Sequence, residues 1–173
     1  MKKIIALLLA AVMVMCLFAG CASSGGSKVI KIGVFEPQSG DNGAGGKQEI
    51  LGVQYANSVA PTVEIGGKTY NVKLEIVDNE SSNDKAVSAA SQLVSKGVSM
   101  VLGSYGSGVS IAASDTFKNA GIPAMGITCT NPAVTAGNTH YFRACFIDSF
   151  QGPVLANYAY DNLKVKKAYC LSK

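Results

Sequence analysis

Apolar and polar residues alternate along the chain in two rhythms, one of strands and one of helices. Val29 to Phe35 reads as a strand (VIKIGVF). From Gln48 to Val59 the apolar residues Ile50, Leu51, Val53, Tyr55, Ala56 and Val59 recur at helical spacing, and Pro61 stops that helix. Thr62 to Ile65 and Tyr70 to Val77 flank Gly66-Gly67-Lys68, and Tyr70, Val72, Leu74 and Ile76 alternate, so a β-hairpin is expected. Asn83-Asp84 opens a helix that runs to Lys96 and closes at Gly97. A short buried strand over 98–103 follows, then a helix from Ser107 to Ala120 stopped by Gly121. Ile122 to Ile127 is another strand, Asn131-Pro132 begins a turn, and His140 to Phe146 is extended. Gln151 to Leu163 reads as a helix and Lys167 to Leu171 as the start of a further strand. Strands alternating with helices predict an α/β fold, a mostly parallel sheet flanked by helices. In such sheets ligands bind beyond the carboxyl ends of the strands, so functional groups are expected just after Phe35, Gly103 and Ile127.

The first twenty residues follow neither rhythm. Met1-Lys2-Lys3 is a basic start, and Ile4 to Ala19 is an uncharged apolar run, shorter than the roughly twenty residues of a membrane span. It ends in Leu17-Phe18-Ala19-Gly20-Cys21, which resembles the bacterial lipobox, with Phe18 where Leu is usual. That resemblance implies a lipoprotein signal peptide over 1–20, a lipid on Cys21, and anchoring of the mature protein to the outside of the bacterial cell membrane through that lipid alone. The Ser/Gly-rich stretch that follows makes 21–28 a flexible tether.

Charge removes some function classes. The formal net charge is +4, of which Lys2 and Lys3 supply two, so the body is close to neutral and Arg143 is its single arginine. No basic stripe with interleaved aromatics marks a nucleic-acid surface. Beyond Cys16 and Cys21 the cysteines are Cys129, Cys145 and Cys170, an odd number whose spacing suggests neither a metal site nor a disulfide framework. They read as small buried apolar side chains.

The glycine-rich stretch SGDNGAGGKQE, from Ser39 to Glu49, lies between a strand and a helix, as a phosphate-binding loop would. Its spacing does not fit. Counting back from Gly46-Lys47 puts Asp41 where the first glycine belongs, and Gln48 replaces the hydroxyl that would hold magnesium. The dinucleotide pattern fails as well, because Gly43-Ala44-Gly45 would require glycine at 48. The stretch is expected to be a turn that lets backbone come close to a ligand, or a mobile loop. No nucleotide or other cofactor is implied. A Gly-x-Ser-x-Gly elbow is lacking and the single His140 has no evident nucleophile partner, so no catalytic residue is assigned and an enzyme is not expected.

Four stretches together resemble the branched-chain amino-acid-binding family of ABC-importer solute receptors. They are IGVFEPQSGDNGAGGKQEILGVQYA, VDNESSNDKAVSAASQLVSKGVSMVLGSYGSGVSIAASD, AGIPAMGITCTNP and YFRACFIDSFQG. The resemblance runs from about Val29 to Lys173 and implies a type I periplasmic binding-protein fold that closes two lobes over its ligand. It places a first lobe at 29–146 and the start of the second at 147–173, in a chain about half the length of family members. It implies a ligand carboxylate site at Tyr105-Gly106-Ser107, and residue physics agrees, since a strand end running into a helix N-terminus suits an anion. Ser107 is expected both to cap that helix and to bind. Thr128-Cys129-Thr130 would meet the ligand's amino and carboxylate groups, with the Thr128 carbonyl on the ammonium, Cys129 walling the pocket and the Thr130 hydroxyl as donor. Arg143 and Asp148 are a candidate hinge pair at the first crossover between lobes.

Two positions depart from the family pattern: Gly45 stands where an aromatic is common, and Ser81 and Gly106 lie near the places of a disulfide found in some members. The function implied is binding of a small amino acid or related amide for delivery to an ABC permease and its ATPase. A ligand-sensing receptor domain of the same fold is the alternative, which neighbouring genes would separate.

Overall fold

The computed structural model describes residues 28–169 and 171; the expected signal peptide and Cys21 lie outside the described residues. The elements are β1 (Val29–Glu36), α1 (Gly43–Val59), β2 (Thr62–Ile65), β3 (Lys68–Asp78), α2 (Asn83–Ser95), β4 (Met100–Gly103), α3 (Ser107–Asn119), β5 (Ala124–Gly126), a 3-10 turn (Pro132–Val134), β6 (Tyr141–Arg143) and α4 (Asp148–Asp161). Among the described residues the strands form one six-stranded sheet in the order β2-β3-β1-β4-β5-β6. β1 runs parallel to both β3 and β4, and β5 parallel to β4 and β6. β2 alone is antiparallel, paired with β3 through the expected Gly66-Gly67 turn, where both glycines have positive φ.

Two periodicities build the core. Along β1 and β4 alternate residues face opposite sides, so Phe35 and Val101 meet α2 and α3 while Ile32 and Leu102 face α1. α2 offers Ala86, Ala89, Ala90 and Leu93, one stripe of mostly small side chains that lets it lie close to the sheet. α3 adds Val109, Ala113 and Phe117, and the Phe117 ring meets Phe35 edge to face, centroids 5.4 Å apart. The α1 side is looser. Of α1 only Gly43, Gly46 and Ile50 are buried, and a cavity of about 580 Å³ opens between the helix and Ile32, Val72, Leu74, Leu102 and Ile127.

The structure corrects several expected boundaries. α1 starts at Gly43, not Gln48, so most of the glycine-rich stretch is helix rather than loop. Close packing explains why glycines are used there: a Cβ on Gly46 would strike the Pro37 carbonyl, and one on Gly45 would strike the Tyr105 ring. α4 likewise begins at Asp148, three residues early. Among the described residues of the strand expected from Lys167 to Leu171 no strand forms, and Lys164 to Tyr169 has no regular structure. A strand needs a neighbour to take its backbone hydrogen bonds, and none flanks this segment among the described residues. No helix among the described residues is long and apolar enough to cross a membrane.

Candidate ligand-binding site

The chain order fixes where a crevice must open. From β1 the chain passes through α1 to β3 on one side, then through α2 to β4 on the other side of β1. The connections leaving the carboxyl ends of β1 and β4 therefore diverge, and this is the switch point where open α/β sheets bind ligands. The segments after Gly103 and Ile127 meet the end of β1 there, through the Tyr105–Glu36 and Thr128–Tyr105 contacts.

The β1 segment is held from β3. Asp78 accepts from the Gln38 N–H and the Ser39 hydroxyl, both at 2.8 Å, and the Ser81 hydroxyl accepts from the Asn42 N–H at 2.9 Å. Burial pushes the Asp78 carboxyl up, but the N–H groups of Gln38 and Glu80 and the Ser39 hydroxyl outweigh it and leave the pKa lowered. A carboxyl depressed on folding contributes stability above its ordinary value, 3.8, and loses it as the pH falls through the folded value. Segment 38–42 should thus lose amide protection in acid, and Asp78→Asn should flatten that dependence; hydrogen exchange against pH on both proteins reads it.

The β4–α3 connection is tied down on every side. The Tyr105 N–H donates to Glu36 Oε2 at 2.7 Å, and the Asn79 side-chain amide donates to the Phe35 carbonyl (3.1 Å) and to Ser104 Oγ (3.0 Å). Ser110 Oγ accepts from the Ser104 N–H at 3.2 Å, and the Tyr141 hydroxyl donates to the Gly103 carbonyl at 2.7 Å. Burial raises the Tyr141 phenol well above its ordinary value, which keeps it a donor. Glu36 is fully buried, and burial, with the Glu49 carboxyl beside it, pushes its pKa up to about 10.

Ser107 is the first residue of α3. Gly106 is the N-cap, and no side chain caps the helix, so the expected capping role of Ser107 is not what the structure has. Its hydroxyl instead accepts from the Asn131 N–H at 3.3 Å, which brings the β4–α3 and β5 segments together. Among the described residues the first N–H groups of α3 thus keep no side-chain partner at the positive end of the helix. Thr128 is exposed, and its hydroxyl donates to Glu49 Oε1 at 2.5 Å. Thr130 is half-buried, with its carbonyl accepting from the Asp148 N–H at 3.0 Å. Tyr105 is 38 % exposed and its ring lies over Gly45, filling the space an aromatic at 45 would need.

Two expected roles change. Cys129 is fully buried in the core cluster with its sulfur toward Gly126, so its thiol packs inward instead of walling a pocket, and burial raises its pKa. Arg143 and Asp148 form no ion pair among the described residues. Arg143 donates to the carbonyls of Cys129 and Asn131, each at 3.0 Å, and to Thr135 Oγ1 at 2.8 Å, holding the turn that carries Thr130. Sequence reasoning missed Glu36, Glu49, Asn79 and Asp78. For Glu36 and Asp78 the available signal was an acid ending an apolar strand at the sheet edge where ligands bind.

This geometry meets a family pattern. The model of the periplasmic binding protein family matches residues 29–173. The chain belongs to that family. A Leu/Ile/Val-binding protein homolog of Brucella melitensis is 36% identical over 140 residues, covering 80% of this chain and 38% of the relative. Among solved structures, a leucine binding protein, LivK, from Thermotoga maritima shares 34% identity at a TM-score of 0.72, over 79% of this chain and 38% of that one. The branched-chain amino acid transporter substrate binding protein LivJ of Streptococcus pneumoniae, in complex with isoleucine, shares 33% at 0.71, over 79% and 39%. The chain therefore spans about two fifths of the length of these relatives, whose fold it shares as a curled, mostly parallel sheet flanked by helices. Members of this family are solute-binding proteins.

Proposed function

We propose that the chain is the ligand-binding part of an extracytoplasmic solute receptor of an ABC importer, taking a small branched-chain or related amino acid. The observation that carries this reading is the uncapped N-terminus of α3 at the sheet's switch point, with Ser107 Oγ beside the segment of Thr128 to Asn131. A ligand carboxylate there would accept from the free N–H groups of α3 and from the hydroxyls of Ser107 and Thr130. The Tyr105-Gly106 backbone shapes the approach, the Thr128 carbonyl takes the ammonium, and Cys129 supports the segment from the core side. The Tyr105 ring over Gly45 replaces the missing aromatic as the apolar wall for the ligand side chain. Residues 29–146 act as the first lobe and 147–173 open the second, with Arg143 and Asp148 at the crossover. Lipid on Cys21 holds the receptor at the membrane, where it delivers ligand to a permease and its ATPase.

Isoleucine, the ligand in the Streptococcus pneumoniae relative, is the probe to use. Ser107→Ala and Thr130→Ala should each weaken its binding about tenfold, the effect of one lost hydrogen bond to a charged group. Calorimetric titration measures this, and unchanged affinity in both variants would remove the site assignment.

A further inference from the structure

Two carboxyl side chains with orphaned buried oxygens lie beneath the candidate site. Glu36 ends β1 and is fully buried, and its Oε1 has no hydrogen-bond partner among the described residues. Glu49 comes from the second turn of α1, and its buried Oε2 is also without a partner among the described residues. The other oxygen of each is committed to one of the two segments that build the site. Glu36 Oε2 accepts the Tyr105 N–H at 2.7 Å, and Glu49 Oε1 accepts the Thr128 hydroxyl at 2.5 Å. The Thr128 hydroxyl also lies 3.5 Å from the Tyr105 carbonyl, so these contacts run as a chain from Glu36 through Tyr105 and Thr128 to Glu49.

A buried carboxyl oxygen left unmatched costs free energy, and two that face one another as anions cost more. One proton between them turns the conflict into a hydrogen bond. We propose that Glu36 and Glu49 share a single proton, and that this acid pair is the positioning device that fixes the Tyr105–Ser107 and Thr128–Thr130 segments at the register ligand binding requires.

Glu36 is a positioning residue in this scheme, acting on ligand through the Tyr105 backbone. Its other surroundings fit a neutral acid. Glu49 faces it from α1, the Tyr141 phenol faces it from β6 and stays protonated, and Asn79 and Ser104 around it are uncharged. No cation from any element acts on it among the described residues. The Cβ side of Gly103 is closed by the same carboxyl, 2.5 Å from Oε1, so the acid has no room to swing away from the β4–α3 connection.

The sign of the pH effect follows. The folded protein keeps a proton on Glu36 that the unfolded chain releases near the ordinary value of 4.5, so stability falls as the pH rises from there toward about 10. Above that range Glu36 would be charged, and the Tyr105 segment should loosen.

This inference rests on the functional reading above only for its binding readout. Three full-length proteins decide it: wild type, Glu36→Ala and Glu36→Gln. Glutamine keeps an acceptor for the Tyr105 N–H and a donor toward Glu49, and cannot ionise. Glu36→Ala should weaken isoleucine binding by about tenfold or more, and Glu36→Gln should recover most of that loss. The ratio of wild-type to Glu36→Gln affinity should fall as the pH rises above 9, because only the wild type has a proton to lose. Comparing the two proteins at each pH cancels the titration of isoleucine itself. Equal damage from Gln and Ala, or parallel alkaline profiles for wild type and Gln, would overturn the proposal. If wild type takes no isoleucine, the functional reading is what fails, and hydrogen exchange at the Tyr105 amide then decides. Protection kept in Gln and lost in Ala supports the shared proton, and protection lost in both or kept in both overturns it.

Discussion

Replacing Gly103 by alanine is expected to destabilise the protein by about 3 kcal/mol or more. Two causes act together. The residue has φ of +113°, a backbone region in which a side chain is strained. The added Cβ would also press on the Phe35 carbonyl and lie 2.9 Å from the Glu36 carboxyl carbon. Neither neighbour can retreat. Phe35 is in the middle of the sheet between β3 and β4, its carbonyl accepts from Asn79, and its ring is locked against Phe117. The Gly103 carbonyl is itself held by Tyr141. The damage should reach the site directly, because Gly103 leads into Tyr105 to Ser107. Urea denaturation of the variant reads the loss, and a change below about 1 kcal/mol would show that the close approach is tolerated.

Arg143→Ala should cost about 2 kcal/mol and loosen the turn from Cys129 to Thr135. The guanidinium makes three hydrogen bonds of 3.0 Å or less into that turn, and a fourth, longer contact reaches the Pro132 carbonyl at 3.4 Å. The Asn131 and Pro132 carbonyls keep the Val134 and Thr135 N–H groups once the side chain is gone, and partial exposure lets water reach the turn, which keeps the loss below that of a fully buried ion. Lysine offers one charged centre in place of a planar fork, so Arg143→Lys should recover only part of the loss. Amide exchange across 129–135 should rise in the alanine variant while exchange in α2 stays unchanged. Uniform change in both segments, or none in either, would contradict a local clamp.

Strand and helix order could be read from the chain because its signals are local. The alternation in β3, the small-residue stripe of α2 and the closing Gly97 and Gly121 each act within one element. The start of α1 could not, because glycine argues against helix on propensity, and what requires it at 45 and 46 is the nearness of Tyr105 and Pro37, far off in sequence or around a turn. The segments of the candidate site were proposed from the strand ends, but the partners of their side chains could not be read there. That Arg143 binds carbonyls instead of Asp148, that Cys129 turns inward, and that Glu36 lies buried against Glu49 all depend on contacts between segments distant in sequence. No periodicity encodes such pairings. The expected strand at Lys167 failed for a related reason: its composition suits a strand, but a strand exists only beside another.

The central claim is that ligand carboxylate binds at the N-terminus of α3. Amide chemical-shift mapping with isoleucine on the isotope-labelled protein tests it most directly. The account predicts that the largest shifts fall on Gly106, Ser107 and Gly108, with Thr130 moving in the same concentration range. Shifts that instead cluster along α1 and the cavity beside Val72 and Leu74, leaving the α3 amides unmoved, would contradict it.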